Sequence, residues 1–119
     1  MDPMRRVNNA SYSAYLELAR LDFCNRYLTV ESLEDIPFVM ARVEMDLIAS
    51  VLPGDQIYIH TWVSQIGTSS WEFSYEIKNQ KTDVLYVKAK TVQVYFDYRA
   101  KTKLPIPKDF RVCLEKEMG

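Results

Sequence analysis

The sequence predicts an α+β fold, one helix laid against an antiparallel sheet. Three observations carry this. Apolar residues repeat with a helical period once, near the N-terminus. The period then changes to two over four successive runs. The links between those runs are short, which suits antiparallel neighbours and leaves no room for parallel crossovers.

From about Ser11 to Leu28, the residues Tyr12, Tyr15, Leu16, Ala19 and Phe23 fall at three- and four-residue steps and mark one apolar stripe. Asn8 and Asn9 stand before it, and asparagine caps helices by accepting a free backbone N–H. Leu18 and Leu21 lie off the stripe, so the helix is apolar round much of its circumference, as suits a helix wrapped by a sheet. A mostly polar connection from Glu31 to Asp35 follows. Then Val39, Ala41, Val43, Met45 and Leu47 alternate with Phe38, Met40, Arg42, Glu44 and Asp46. Pro53-Gly54-Asp55 breaks the chain. Gln56 to Gln65 reads as a second strand, with Ile57, Ile59, Thr61 and Val63 on one side and Tyr58, His60 and Trp62 on the other. After the hairpin Ile66-Gly67-Thr68-Ser69, the third strand sets Trp71, Phe73, Tyr75 and Ile77 against Ser70, Glu72, Ser74 and Glu76. Asn79 to Asp83 is a turn, and Val84 to about Tyr98 is the last strand. Leu104-Pro105-Ile106-Pro107 closes the sheet region, and Asp109 to Glu117 is a short terminal helix. Tyr58, His60, Trp62 and Tyr95 are expected on the second sheet face, to be covered there by another subunit.

Composition narrows the function. With 119 residues, 48% apolar and 26% charged, the chain is expected to form a single globular domain over residues 1–119. Such a chain buries about two-thirds of its surface and needs no metal or disulfide staple. No apolar run approaches the roughly 18 residues of a membrane span, and the N-terminus lacks a signal-peptide core, so the expected location is the cytoplasm. A net charge of −1 argues against nucleic acid as partner. With one histidine, His60, and with Cys24 and Cys113 far apart, no metal is expected and the thiols are free. Between Lys78 and Arg111, nine Lys or Arg face only Asp83, Asp97 and Asp109. That imbalance fits either a solvated strand face or a small phosphorylated ligand.

No nucleophile elbow, phosphate-binding glycine loop or zinc-helix motif occurs. The chemistry then falls to a carboxylate, a hydroxyl or backbone donors. Asp2 stands a few residues ahead of the helix, whose first N–H groups can polarise a carbonyl oxygen. A nearby Asp acts as general base, as nucleophile, or merely as a solvated acid.

The stretch Asp2-x-x-x-x-Val7-Asn8-Asn9-x-x-Tyr12, followed by Glu17-x-Ala19-Arg20, resembles the opening signature of hotdog-fold thioesterases of the 4-hydroxybenzoyl-CoA type. The resemblance continues through Val43-Glu44-Met45-Asp46, Pro53-Gly54-Asp55, Ile66-Gly67-Thr68-Ser69-Ser70 and Leu104-Pro105-Ile106-Pro107. It implies a long central helix wrapped by a curved antiparallel sheet, assembled as a homodimer or homotetramer. It also implies hydrolysis of a small or medium acyl-CoA to free acid and CoA, without metal or organic cofactor. Relatives carry a strand of roughly ten residues before the aspartate, whereas Met1 directly precedes Asp2 here, so the first strand is expected to be missing.

By position, Asp2 matches the catalytic carboxylate, and the Asn9 backbone N–H matches the donor that holds the thioester oxygen. Tyr12 matches a residue lining the acyl pocket, or is a core aromatic; Glu17 and Arg20 match structural positions of the helix signature. Gly67, Thr68 and Ser69 match the connection near the CoA phosphates. Many relatives have Gly-His where Arg5-Arg6 stands, and some carry basic residues at the Gly67–Ser69 connection that this chain lacks. Phosphate binding is left to Lys101, Lys103 or the Lys88/Lys90 strand. A non-catalytic acyl-binding subunit and an acyl-carrier-protein thioesterase are the alternative readings. A hydratase is disfavoured because it needs a histidine near the aspartate.

Overall fold

The computed structural model describes residues 9–27 and 38–119. Helix α1 (Asn9–Tyr27) comes first, followed by β1 (Phe38–Leu47), β2 (Ile57–Ile66), β3 (Ser70–Asn79), β4 (Leu85–Asp97), β5 (Thr102–Lys103) and α2 (Lys108–Lys116). The strands lie in the order β1-β4-β3-β2, all antiparallel, and β5 pairs with β4.

Each reversal has a local cause. Gly54 takes φ +89°, a conformation that glycine adopts without Cβ strain, and the Asp55 carboxylate accepts the Leu52 N–H at 3.0 Å. The Asn79 side chain accepts the N–H groups of Lys81 and Thr82, an Asx turn that reverses β3 into β4. Asp97 does the same for Arg99 and Ala100 before β5. Single bulges interrupt the β1–β4 register between Met40 and Arg42 and the β2–β3 register between Val63 and Gln65.

One face of the sheet carries the core. Trp71, Phe73, Tyr75 and Ile77 of β3 and Val87, Ala89, Thr91 and Gln93 of β4 are buried on it. Tyr12, Leu16, Phe23 and Cys24 of α1 and Phe110 and Leu114 of α2 are buried with them. Phe23 meets Phe73 edge-on at 5.1 Å, and Trp71 lies 5.1 Å from both Phe38 and Phe110. Thr91 and Gln93 are polar yet fully buried, because the Thr91 hydroxyl bonds both Tyr75 Oη and Gln93 Nε2 at 2.5 Å.

The expected long central helix wrapped by a curved sheet is not what forms, while the expected absence of the first strand lies outside the described residues. The sheet is open, its end strands β1 and β2 do not meet, and two short helices of 19 and nine residues replace the single long one. Helix α1 lies against the β2–β3 half of the sheet and leaves Leu18 60% exposed. The off-stripe leucines that suggested a wrapped helix are therefore not enclosed by this chain. Tyr95 is also placed differently, since it packs on Phe110 at 5.7 Å on the core side. Alternation along β4 puts it on the same face as Gln93. The alternation in β1 does not produce a buried face, and Val43 and Leu47 are 46% and 50% exposed.

Candidate functional site

The expected site residues that the structure describes fall at opposite ends of the sheet. Asn9 opens α1, where the first four backbone N–H groups have no partner within the helix. Asp2 lies outside the described residues. Tyr12, one turn into α1, is buried at 3% exposure, with its hydroxyl 3.5 Å from the Val51 N–H. This end also holds Tyr86, whose hydroxyl donates to Asp55 at 3.0 Å and accepts from the Asn79 amide at 2.8 Å. Glu17 is exposed, and Arg20 reaches Tyr75 Oη at 3.4 Å.

Gly67, Thr68 and Ser69 form the β2–β3 hairpin at the far end of β3. At about 3.3 Å per residue, the length of β3 separates the two ends by roughly 30 Å. The hairpin is closed by Gly67 N–H to Ser70 O at 2.7 Å. Its outer carbonyls are used by the rest of the chain: Tyr95 N–H donates to Ser69 O at 2.7 Å and Ile106 N–H to Thr68 O at 2.8 Å. The segment Leu104–Pro107 therefore runs along the hairpin and brings β5 and α2 beside it. A cleft of about 310 Å³ opens there, lined by Gln65, Ile66, Gly67, Ser70, Trp71, Glu72 and Val92.

Lys103 pairs opposite Phe96 at this end, and Lys101 sits in the preceding turn with φ +55°, both side chains exposed. The structure adds a residue that the sequence did not single out. Arg111 of α2 donates to Gly67 O at 2.7 Å, so its guanidinium lies at the hairpin. The two residues are 44 positions apart and no motif links them, so only the docking of α2 reveals the contact. A guanidinium from α2 thus stands at a hairpin whose own residues carry no basic side chain.

Lys88 and Lys90 are disposed otherwise. They point from β4 to the outer face, where Lys88 stands between Asp46 and Glu76, and Lys90 faces Glu44 and lies 3.9 Å from Glu72. Carboxylates on both sides make this face a poor anion site.

Burial pushes the Cys24 thiol up, which keeps it protonated and inert despite the nearby Arg20. Burial also raises the Tyr75 phenol, with the Thr91 and Arg20 hydrogen bonds acting against it. Neither group is poised for chemistry at neutral pH. Among the described residues no three His, Cys, Asp or Glu side chains gather as a metal site, and no helix is long and apolar enough to cross a membrane.

Comparison with known proteins gives a consistent picture. The family described as the Thioesterase-like superfamily matches over residues 1–114. A thioesterase from Thermus thermophilus, solved as a complex with coenzyme A and Zn, is 28% identical. The match covers 98% of this chain and 84% of that one, with a TM-score of 0.86. A predicted thioesterase from Bacillus stearothermophilus is 24% identical over 99% of this chain and 87% of that one, with a TM-score of 0.90. A 1,4-dihydroxy-2-naphthoyl-CoA thioesterase from Synechocystis is 16% identical over 96% and 86%, with a TM-score of 0.85. No curated protein matches.

Proposed function

Because the chain belongs to the thioesterase-like superfamily and is a thioester hydrolase, we propose that it hydrolyses acyl-CoA to free acid and CoA, at a site shared between two copies of the chain. The family match over residues 1–114 carries this reading. The relative bound to coenzyme A supports the choice of thioester. The compared structures share only 16–28% identity with the chain, so the reading stops at acyl-CoA as a class and does not extend to 4-hydroxybenzoyl-CoA.

In this mechanism the thioester oxygen is held by the Asn9 backbone N–H at the positive end of α1. Water attacks the carbonyl carbon while Asp2 takes its proton. The C–S bond then breaks, and the departing CoA sulfur receives that proton. Tyr12 would border the acyl group. Gly67, Thr68 and Ser69, with Lys101, Lys103 and Arg111, would hold the phosphates. A panel of acyl-CoA substrates followed by thiol release tests the reading, and no turnover on any member would overturn it.

The distance between the two ends favours a shared site. Among the described residues no strand pairs with the outer edge of β1, where Met40, Val43 and Leu47 are each 46–50% exposed. Its Phe38 end lies by the hairpin, because Phe38 pairs with Tyr95. Its Leu47 end lies by Tyr12, through Tyr86 and Val51. Antiparallel pairing of two such edges brings the hairpin end of one copy beside the α1 N-terminus of the other. Light scattering is expected to give a dimer or tetramer at micromolar concentration, and Val43→Lys should shift it towards monomer with loss of activity. An active wild-type monomer would remove the shared site.

Changing Lys101 and Lys103 together to Ala is expected to raise KM for acyl-CoA and weaken its salt dependence, with kcat nearly intact. Arg111→Ala should raise KM further, since it also frees the hairpin carbonyl. Unchanged KM in both variants would return these cations to a solvated surface role.

A further inference from the structure

A chain of polar side chains runs from α1 into the middle of the apolar core. Arg20 donates to Tyr75 Oη at 3.4 Å, Tyr75 Oη bonds Thr91 Oγ1 at 2.5 Å, and Gln93 Nε2 donates to the same oxygen at 2.5 Å. Tyr75, Thr91 and Gln93 are buried among Trp71, Phe73, Val87 and Ala89. Burying hydroxyl and amide groups costs free energy that their mutual hydrogen bonds only offset. Apolar side chains of the same shape would fill this space without that cost, so packing alone does not account for the chain. A hydrogen bond has direction and an apolar contact has none, and direction is what these residues add.

Direction matters for α1. Its buried side chains Tyr12, Leu16, Phe23 and Cys24 join the core through apolar surface, which favours burial without fixing one position along the sheet. Among the described residues, its side chains make three polar ties to the rest of the chain. Tyr12 Oη lies 3.5 Å from the N–H of Val51, in the loop after β1. Arg26 and Tyr27 donate to Glu117 at 2.6 Å, just beyond α2. The tie from Arg20 to Tyr75 is the one that ends on the sheet, in β3, which is paired on both sides. Burial raises the Tyr75 phenol, so it accepts from Arg20 and keeps its own proton for Thr91.

We infer that Tyr75 is a positioning residue: by holding Arg20 it fixes where α1 sits on the sheet, and so where the Asn9 N–H meets the thioester oxygen. The inference rests on the acyl-CoA hydrolase reading above, in which that N–H polarises the carbonyl. Tyr75 acts only through Arg20 and the helix. From Arg20 back to Asn9, α1 spans roughly 16 Å at about 1.5 Å per residue, and a hydrogen-bonded helix carries a displacement along that length. A donor to an oxyanion works at about 2.7–3.1 Å. Sliding α1 by about 1 Å takes the Asn9 N–H out of that range, and a misplacement of that size costs turnover rather than binding.

The test uses the whole chain and octanoyl-CoA. Tyr75→Phe keeps the ring and removes the hydroxyl, while Arg20→Met keeps an apolar stem and removes the donor. Each is expected to lower kcat by about tenfold or more with KM within about twofold of wild type. The double variant should fall no further than either alone, because both remove the same tie. Val63→Ala trims a fully buried side chain of β2 that makes no polar tie to α1, and serves as the control. It should lower the melting temperature and leave kcat unchanged. Backbone amide shifts followed by NMR give a readout independent of turnover: Tyr75→Phe and Arg20→Met should move the Asn9 and Ala10 amides, and Val63→Ala should not. Unchanged kcat in both single variants overturns the inference, as do additive losses in the double variant or an equal loss in Val63→Ala. Arg20 is only half-buried, so its variant decides the matter if Tyr75→Phe does not fold. A wild type inactive on every acyl-CoA would sink the hydrolase reading alone, and the amide shifts would then decide whether Tyr75 positions α1.

Discussion

Asp2→Asn is expected to lower kcat on an acyl-CoA by roughly 10²–10⁴, the usual contribution of a general base, while substrate binding changes little. Asparagine keeps the size of the side chain and most of its hydrogen bonding, but it can neither take a proton from water nor attack the carbonyl. His60, the chain's one histidine, lies mid-strand on β2, where it stacks on Trp62 at 4.8 Å and approaches Glu76 at 4.0 Å. It does not belong to the segment that opens α1, and the chain has no other histidine to stand behind Asp2. The measurement is steady-state hydrolysis by wild type and variant, with thermal melts as a check on folding. A merely solvated Asp2 would leave turnover alone and shift stability by less than about 0.5 kcal/mol. Equal kcat in an active enzyme would therefore remove Asp2 from the mechanism.

Trp71→Ala is expected to cost about 3–5 kcal/mol of folding stability, the range for truncating a buried large aromatic. That is a large share of the ~5–15 kcal/mol that holds a domain together. Trp71 is 1% exposed and touches three elements at once. Its ring lies 5.1 Å from Phe38 of β1, 5.1 Å from Phe110 of α2 and 6.3 Å from Phe73 of β3. Deleting it leaves a hole that joins the sheet to α2, and α2 carries Arg111 to the hairpin, so KM should suffer as well. The indole N–H has no hydrogen-bond partner among the described residues. Trp71→Phe should for that reason be much milder, costing about 1.5 kcal/mol or less. Urea denaturation of the three proteins checks both values. A loss below about 1 kcal/mol for the alanine variant would show that the aromatic cluster does not anchor α2.

Several elements were legible because local chemistry alone determines them. Helix α1 follows from a stripe of residues at three- and four-residue steps, and Tyr12, Leu16 and Phe23 of that stripe are buried. Strand β3 follows from strict alternation, with Trp71, Phe73, Tyr75 and Ile77 all buried. The turns at Gly54 and Asn79 follow from backbone freedom and from an Asx side chain. In each case the residues that matter lie within a few positions of one another, so the sequence displays the cause beside the effect.

What the tertiary structure alone decided involves residues far apart in the chain. Alternation in β1 suggested a buried face, yet a strand is buried only if something lies over it, and among the described residues β1 is an edge paired to β4 alone. Tyr95 is expected on the second face and lies instead on the core side, because polar Thr91 and Gln93 sit at core positions and disguise the parity of β4. Thr91 is held there by a hydrogen bond shared with Tyr75, 16 residues away, and Gln93 donates to Thr91 in turn. Whether the sheet closes over α1 depends on long-range strand pairing, which local hydropathy does not encode. By the same logic the motif points to Gly67, Thr68 and Ser69 as candidates but says nothing of Arg111, whose place beside them depends on how α2 docks through Phe110 and Leu114. Local periodicity determined which elements form. Burial of their apolar faces against one another decided which charges meet at the hairpin, and that choice exists only once the whole chain has folded.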